Sequence, residues 1–292
     1  MGLIGNANSP VGVPNGPFAQ APTYTVQTLS CGAFTAANVD TQNSKASGFQ
    51  WYTFNFFGQA AGASTIVLPG DGSIQVGSTI ANGYNANLAS CVSTGGSAYK
   101  GTAFGGGGYF EATLSFNAAN LNPVSGFPAW WTMAIEHLAS PGVADVWPGQ
   151  AANYENWIEL DIFEAYNLTP NYYATLHNGY GIAGSYSDVP LTNTTPVFAP
   201  GSKHAYGMLW VPATSSTQGY VQFFMDRQAI GARTLWNQQA LSGVSPPPVS
   251  PWEFGVVDGQ HLCLILGAGP STPMSVYSVN VWQPSSASNL VF

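Results

Sequence analysis

The stretch Trp157-Ile158-Glu159-Leu160-Asp161-Ile162-Phe163-Glu164-Ala165-Tyr166 sets the reading of the whole chain. Ile, Phe, Tyr and Trp fit a pleated, half-buried backbone, so a run this rich in them is a strand rather than a solvated acidic loop. A strand sends alternate side chains to opposite faces, which puts Glu159 and Asp161 together and turns Leu160 and Ile162 into the core. Strict alternation would then place Phe163 with the acids and bury Glu164. An unpaired carboxylate in a core is costly, so the pattern predicts a β-bulge at Ile162 and Phe163 that returns Glu164 to the acid face.

The rest of the chain has the same character. Short runs of Val, Ile, Phe, Tyr, Trp and Thr alternate with polar residues, long helical periodicity is absent, and 34 Gly and 21 Pro punctuate the pattern. Strands are predicted over 49–56, 65–68, 73–76, 108–116, 129–134, 157–165, 172–177, 204–211, 219–225, 261–266 and 275–282. Short strands without a repeat of fixed period predict an all-β fold, a β-sandwich jelly roll of two curved antiparallel sheets rather than a propeller. One large domain over 46–292 is expected, preceded by an extended N-terminal arm over 1–45 that lies on it.

Composition narrows the partners. Charged residues make up 6% of the chain, against about 25% in an ordinary soluble protein. A surface of Asn, Ser, Thr, Gln and Gly suits extracellular proteins that meet neutral polar polymers. Five Lys and Arg against 13 Asp and Glu give a net charge of −8. That balance argues against nucleic acid and against anionic membranes, both of which call for a basic footprint. No run of 18 apolar residues is present to span a bilayer. Residues 1–22 carry neither the basic start nor the apolar stretch of a signal peptide, so a secreted protein would here have had its export information trimmed. Secretion also sets the expectation for Cys31, Cys91 and Cys263: one Cys31–Cys91 disulfide, with Cys263 buried in Leu262-Cys263-Leu264-Ile265-Leu266. No Cys or His pair has zinc-ligand spacing.

The chemistry follows from scarcity. Of 13 acidic residues, three fall within positions 159–164. Hydrolysis of a glycosidic bond needs two carboxyl groups flanking it, one to attack or stabilise the oxocarbenium-like centre and one to protonate the leaving oxygen. Two Glu on one strand, leaning together over a short Asp, suit the close spacing of a retaining enzyme, about 5–5.5 Å. Asp161 between them would bond the nucleophile and keep the acid protonated by like-charge coupling. An exposed acidic strand face or a cation site is the plain alternative. Sugar rings present apolar faces, so flat aromatics near the acids are candidate platforms: Trp130, Trp131, Trp147, Tyr154, Trp157 and Tyr166. Trp130 and Trp131 must face opposite ways, so one of them at most reaches a cleft.

Glu159, Asp161 and Glu164 match the bulged Glu-x-Asp-x-x-Glu signature of glycoside hydrolase family 16, the concanavalin-like glucanase jelly rolls, which this chain resembles over about 50–283. Gly108-Tyr109-Phe110-Glu111-Ala112, Gly126-Phe127-Pro128-Ala129-Trp130-Trp131, Thr175-Leu176-His177 and the block 204–210 fall in the family's order. The resemblance implies Glu159 as nucleophile, Asp161 as assistant and Glu164 as acid/base in a cleft on the concave face, with Trp131 and His177 toward substrate. Two departures stand out. Trp157-Ile158 precedes the first Glu where many members carry Gly, which reshapes the cleft wall. Tyr277 replaces an Asp implicated in a structural calcium, which puts that calcium in doubt; no cofactor is required otherwise.

The expected protein is therefore a secreted, monomeric, endo-acting retaining β-glycanase working on a polysaccharide, with β-1,3- or mixed-linked glucan foremost. Its rivals are a transglycosylase on the same fold and a lectin-like glycan-binding module. Loops 138–156 and 179–202 are expected to set the substrate. His137, His204 and His261 read as structural.

Overall fold

The computed structural model describes residues 15–54, 66–77, 86–95, 98–117, 127–138, 155–165, 171–181, 185–193, 201–238, 253–269 and 272–292. In chain order their strands are β1 (Val26–Cys31), β2 (Val39–Asp40), β3 (Trp51–Phe54), β4 (Ile66–Val67), β5 (Ile74–Val76), β6 (Ala86–Ala89), β7 (Cys91–Gly95), β8 (Ala98–Gly105), β9 (Gly108–Phe116) and β10 (Ala129–Ala134). They continue as β11 (Glu155–Glu164), β12 (Tyr172–Gly181), β13 (Ser185–Asn193), β14 (His204–Val211), β15 (Gly219–Met225), β16 (Gln228–Trp236), β17 (His261–Ala268), β18 (Met274–Gln283) and β19 (Leu290–Val291). Two single helical turns, Pro17–Gln20 and Ile135–Leu138, and the 3-10 segment Glu253–Gly259 join them.

These strands form two large antiparallel sheets, the all-β jelly roll expected from the pattern. The first runs β16-β15-β14-β9-β18-β5-β4, with β1 also paired to β18. The second runs β13-β12-β11-β10-β17-β6-β3-β2 and is extended from β17 by β8, β7 and β19. The β2–β3 pair is parallel.

The main core lies between the sheets and follows the period of two. Leu262, Leu264 and Leu266 of β17 pack inward with Trp130 of β10, Leu160, Ile162 and Phe163 of β11, and Phe110, Met208 and Trp210 from the first sheet. Their neighbours in sequence face the other way. Cys263 and Ile265 join Ala89, Trp131 and Met133 in a second apolar cluster on the outer face of the second sheet. The run 262–266 is apolar throughout because both of its faces are covered, the usual pattern for a central strand.

The opposite outer face, on the first sheet, carries Tyr109, Leu209, Tyr220 and Phe224, covered by the first helical turn. Phe18 stands edge-on to Tyr109 and Trp282 at 5.4 and 5.3 Å. Beside it Arg227 grips Glu111 with two bonds of 2.8 Å. Of the residues expected as an arm, 15–25 thus lie on the first sheet, Val26–Cys31 are a strand of it, and Val39–Asp40 edge the other.

The expected Cys31–Cys91 disulfide does not form. All three cysteines are free and buried. Cys31 points between the sheets while Cys91 lies in the outer cluster, so a sheet separates the two sulfurs. Cys91 instead neighbours Cys263, whose thiol donates to the Cys91 carbonyl at 3.5 Å. Burial pushes the Cys31 and Cys91 thiols up, which suppresses the reactive thiolate. An aromatic disulfide reagent should therefore find no reactive thiol in the folded protein and three after denaturation; one thiol after denaturation would show a bridge.

Candidate active site

β11 is bulged where the sequence pattern requires it. Against β12, Asp161 pairs with Thr175 and Glu164 with Tyr173, so Ile162 and Phe163 together oppose Ala174 alone. The register against β10 shifts at the same place, between Trp131↔Asp161 and Trp130↔Phe163. Both Ile162 and Phe163 are fully buried between the sheets. A bulge leaves a carbonyl without its ladder partner, and a buried orphan costs about 1–3 kcal/mol. The buried hydroxyl of Tyr172 meets this need by donating a hydrogen bond to the Ile162 carbonyl. Phe163 stacks on Tyr206 of the first sheet, centroids 4.1 Å apart, which fastens the bulge to the other layer.

The bulge returns Glu164 to the face of Glu159 and Asp161. These three carboxyls line one cleft with Asn87, Phe127, Ala129, Trp131 and Gly267. Trp131 forms part of the lining while Trp130 is wholly in the core. Asp161 is 3% exposed and meets His177 Nε2 at 2.9 Å through Oδ2. At the strand's other end the backbone N–H of Ile158 donates to Gln260 Oε1 at 3.2 Å, tying β11 to the end of the 3-10 segment. Trp157 belongs to β11. Trp147, Tyr154 and Tyr166 lie outside the described residues, as does most of loop 138–156.

Electrostatics separate the acids from ordinary surface carboxylates. Burial, then the charge of Asp161, holds Glu159 well above the usual carboxylate range, and His177 pulls the other way. Burial, then Asp161, pushes Glu164 up to about 8, opposed by His177 and by the hydroxyl of Thr175. The donor atoms of Glu159, Asp161 and His177 lie within 4.8 Å of one another, near enough to share a cation. His177 already takes one oxygen of Asp161, so the ring serves as the acid's own counter-group. The other two histidines with described partners are structural in their bonding: His204 meets Asp226 at 2.8 Å, and His261 meets Glu136 at 2.6 Å. At Tyr277, Lys203 Nζ sits 3.5 Å from the ring centroid, and the phenol bonds Ser115 at 3.1 Å.

Sequence pattern missed Asn87, Phe127 and Gly267. The strand holding Asn87 follows a Gly- and Asn-rich stretch with weak strand propensity, and Gly267 offers only its lack of a side chain. The available clue was register: Asn87 pairs with Gly267 and Gly267 with Ala129 across three strands of the second sheet.

Comparison by sequence matches no family and no curated protein. By structure the chain is similar to an endo-1,3-beta-glucanase from Streptomyces sioyaensis, at 16% identity and TM-score 0.53, covering 91% of this chain and 97% of that one. Also similar are a kappa-carrageenase from Pseudoalteromonas carrageenovora (12%, 0.44, covering 76% and 83%) and the carbohydrate recognition domain of Emp46p (10%, 0.43, covering 88% and 95%). The likeness to the glucanase establishes the fold alone.

Two consequences can be measured. Replacing Tyr172 by Phe keeps the ring and orphans the Ile162 carbonyl, so unfolding in urea should show a loss of about 1–3 kcal/mol; an unchanged midpoint would show that the bulge does not need this bond. Glu164 ionises near 8 when folded and near 4.5 when unfolded, so its contribution to stability falls as pH rises through that window. Glu164→Gln should accordingly match the parent below pH 4 and exceed it by roughly 2–4 kcal/mol above pH 8, after discounting for partial exposure. A pH-independent difference in melting would contradict the buried-carboxyl account.

Proposed function

We propose that the protein is a retaining, endo-acting glycanase that cuts a polysaccharide by double displacement. The observation that carries this reading is the bulged register, which sets Glu159, Asp161 and Glu164 on one face of one strand, in one cleft, with the flanking pair desolvated. In the first step Glu159 attacks the anomeric carbon and Glu164 gives its proton to the departing oxygen. In the second, Glu164 takes a proton from water as that water displaces Glu159 and frees the sugar. Two carboxyls supply all of this chemistry, so no metal or cofactor is called for.

The roles suit the environments. A proton donor must hold its proton near neutral pH, and Glu164 does. A nucleophile must be ionised, which burial opposes at Glu159; His177, bonded to Asp161, is the positive group that favours the ionised form. We take His177 as a positioning residue for that reason. Endo action on a polymer fits a cleft on an open sheet face. Secretion and a monomeric state are part of the same proposal, supported by the low charge content.

Glu164→Gln should lower turnover about 10²–10⁴-fold on a leaving group that needs protonation, and Glu159→Gln should abolish it. Soluble polysaccharides scored for reducing ends, with the anomer of the first product read by NMR, test both steps. Folded variants that keep parental rates would remove the assignment, an inverted anomer would remove the double displacement, and tight binding without turnover would favour a lectin. Activity of the parent should decline above about pH 8 as Glu164 deprotonates. His177→Gln should move the acidic limb of kcat/KM to higher pH, because Glu159 loses the charge that favours its ionisation; a limb that stays put would leave His177 a structural part.

A further inference from the structure

We infer that the cleft takes a neutral, unsulfated glycan, and that Asn87 holds a hydroxyl of a sugar ring away from the scissile bond. This deepens the reading of the cleft as a glycan-cutting site and rests on it.

The first line of argument is a full account of positive charge. The chain has five Lys and Arg, and all five belong to described residues away from the cleft. Arg227 is held by Glu111 over the first sheet's outer face, and Arg233 lies on the Tyr220 ring and bonds Gln20. Lys203 lies on Tyr277 of β18, in that same first sheet. Lys45 follows β2, which is five strands from β11, and Lys100 is paired with Val92 in the β7–β8 ladder. His177 is engaged with Asp161. A sulfate or uronate laid along this cleft would meet three crowded carboxyls and no Lys or Arg, the one nearby imidazole being taken up by Asp161. Anion recognition ordinarily uses a charged fork or ammonium, and none is within the lining.

The second line is Asn87. Its side chain is 4% exposed and lines the cleft, and its carboxamide is not among the buried polar atoms cut off from solvent and partners, so it faces the cleft opening. A carboxamide set in a cleft wall and open to the cleft can exchange its water for a ligand hydroxyl. A carboxamide both donates and accepts, as a sugar hydroxyl does. Register fixes its place: Glu164 pairs with Ala129, Ala129 with Gly267 and Gly267 with Asn87. That row crosses three strand spacings, about 14 Å. The two residues between are the smallest available, so they leave a trough from the acid/base to the amide, with Trp131 and Phe127 as apolar walls. Asn87 therefore meets a ring beyond the one being cut, where it adds affinity rather than chemistry.

Binding measured on the inactive Glu159→Gln variant separates this inference from the catalytic one. Calorimetry with laminarihexaose, a neutral agarose hexasaccharide and a kappa-carrageenan hexasaccharide should show one of the neutral ligands bound at least about 100-fold more tightly than the sulfated one, roughly 2.7 kcal/mol. Adding Asn87→Ala should weaken that neutral ligand about 10-fold, the loss of one hydrogen bond. In the active enzyme the same change should raise KM and leave kcat nearly unaltered. Asn87→Ala alone should melt close to the parent temperature, because the amide faces the cleft; a structural asparagine would melt lower. Equal or tighter binding of the sulfated oligosaccharide, undiminished affinity in the Asn87→Ala variant, or no binding of any of the three would overturn the proposal. Neutral binding with a parent enzyme that never turns over would sustain it while defeating the catalytic assignment.

Discussion

Tyr172 donates a hydrogen bond from its hydroxyl to the carbonyl of Ile162, and the site is arranged around that bond. A strand must alternate, yet the acids of β11 are spaced by two and then by three. The conflict is resolved by letting two consecutive residues, Ile162 and Phe163, oppose a single residue of β12. Such an insertion survives only where its unpaired backbone is satisfied and its extra side chain finds a place. Tyr172 supplies the first condition. The stacked pair of Phe163 and Tyr206 supplies the second, reaching from one sheet to the other.

The geometry so produced has an electrostatic cost, which the shifted carboxyls of Glu159 and Glu164 record. Three carboxyls on one patch cannot all ionise freely. Burial dominates for both Glu159 and Glu164, the central Asp161 adds to each, and His177 opposes the trend through its contact with Asp161. Protons are thereby shared over a set of four groups, so a change at any one of them is felt by the others.

The fold was legible because burial on alternate faces writes itself into alternate residues. The strands over Gly108–Phe116, Ala129–Ala134, His204–Val211 and Gly219–Met225, buried on both faces, carry a strong apolar and aromatic signature and lie where the pattern puts them. Others do not carry it. Strand β1 buries only Leu29 and Cys31 of its six residues, β13 contains Pro190 among polar residues, and β8 is broken by glycine, so each owes its pairing to a neighbour rather than to its own composition. The acids and their bulge were readable because an error in register would bury a charge. Asn87 was not, since its meaning depends on which strands lie side by side, and a single sequence does not state that. The same blindness produced the Cys31–Cys91 pairing: two cysteines on opposite faces of a sheet look alike until the faces are known.

Trp130 and Trp131 are joined by one peptide bond, one lodged between the sheets and the other in the cleft wall. The wall is therefore tied through the backbone of β10 to the core between the sheets. The floor beneath it is paired strand on both sides, at Ala129, Gly267 and Asn87. On the proposed reading, a polymer entering this groove meets a wall anchored in the core, so the bending needed to bring a glycosidic bond onto the carboxyls falls on the sugar chain.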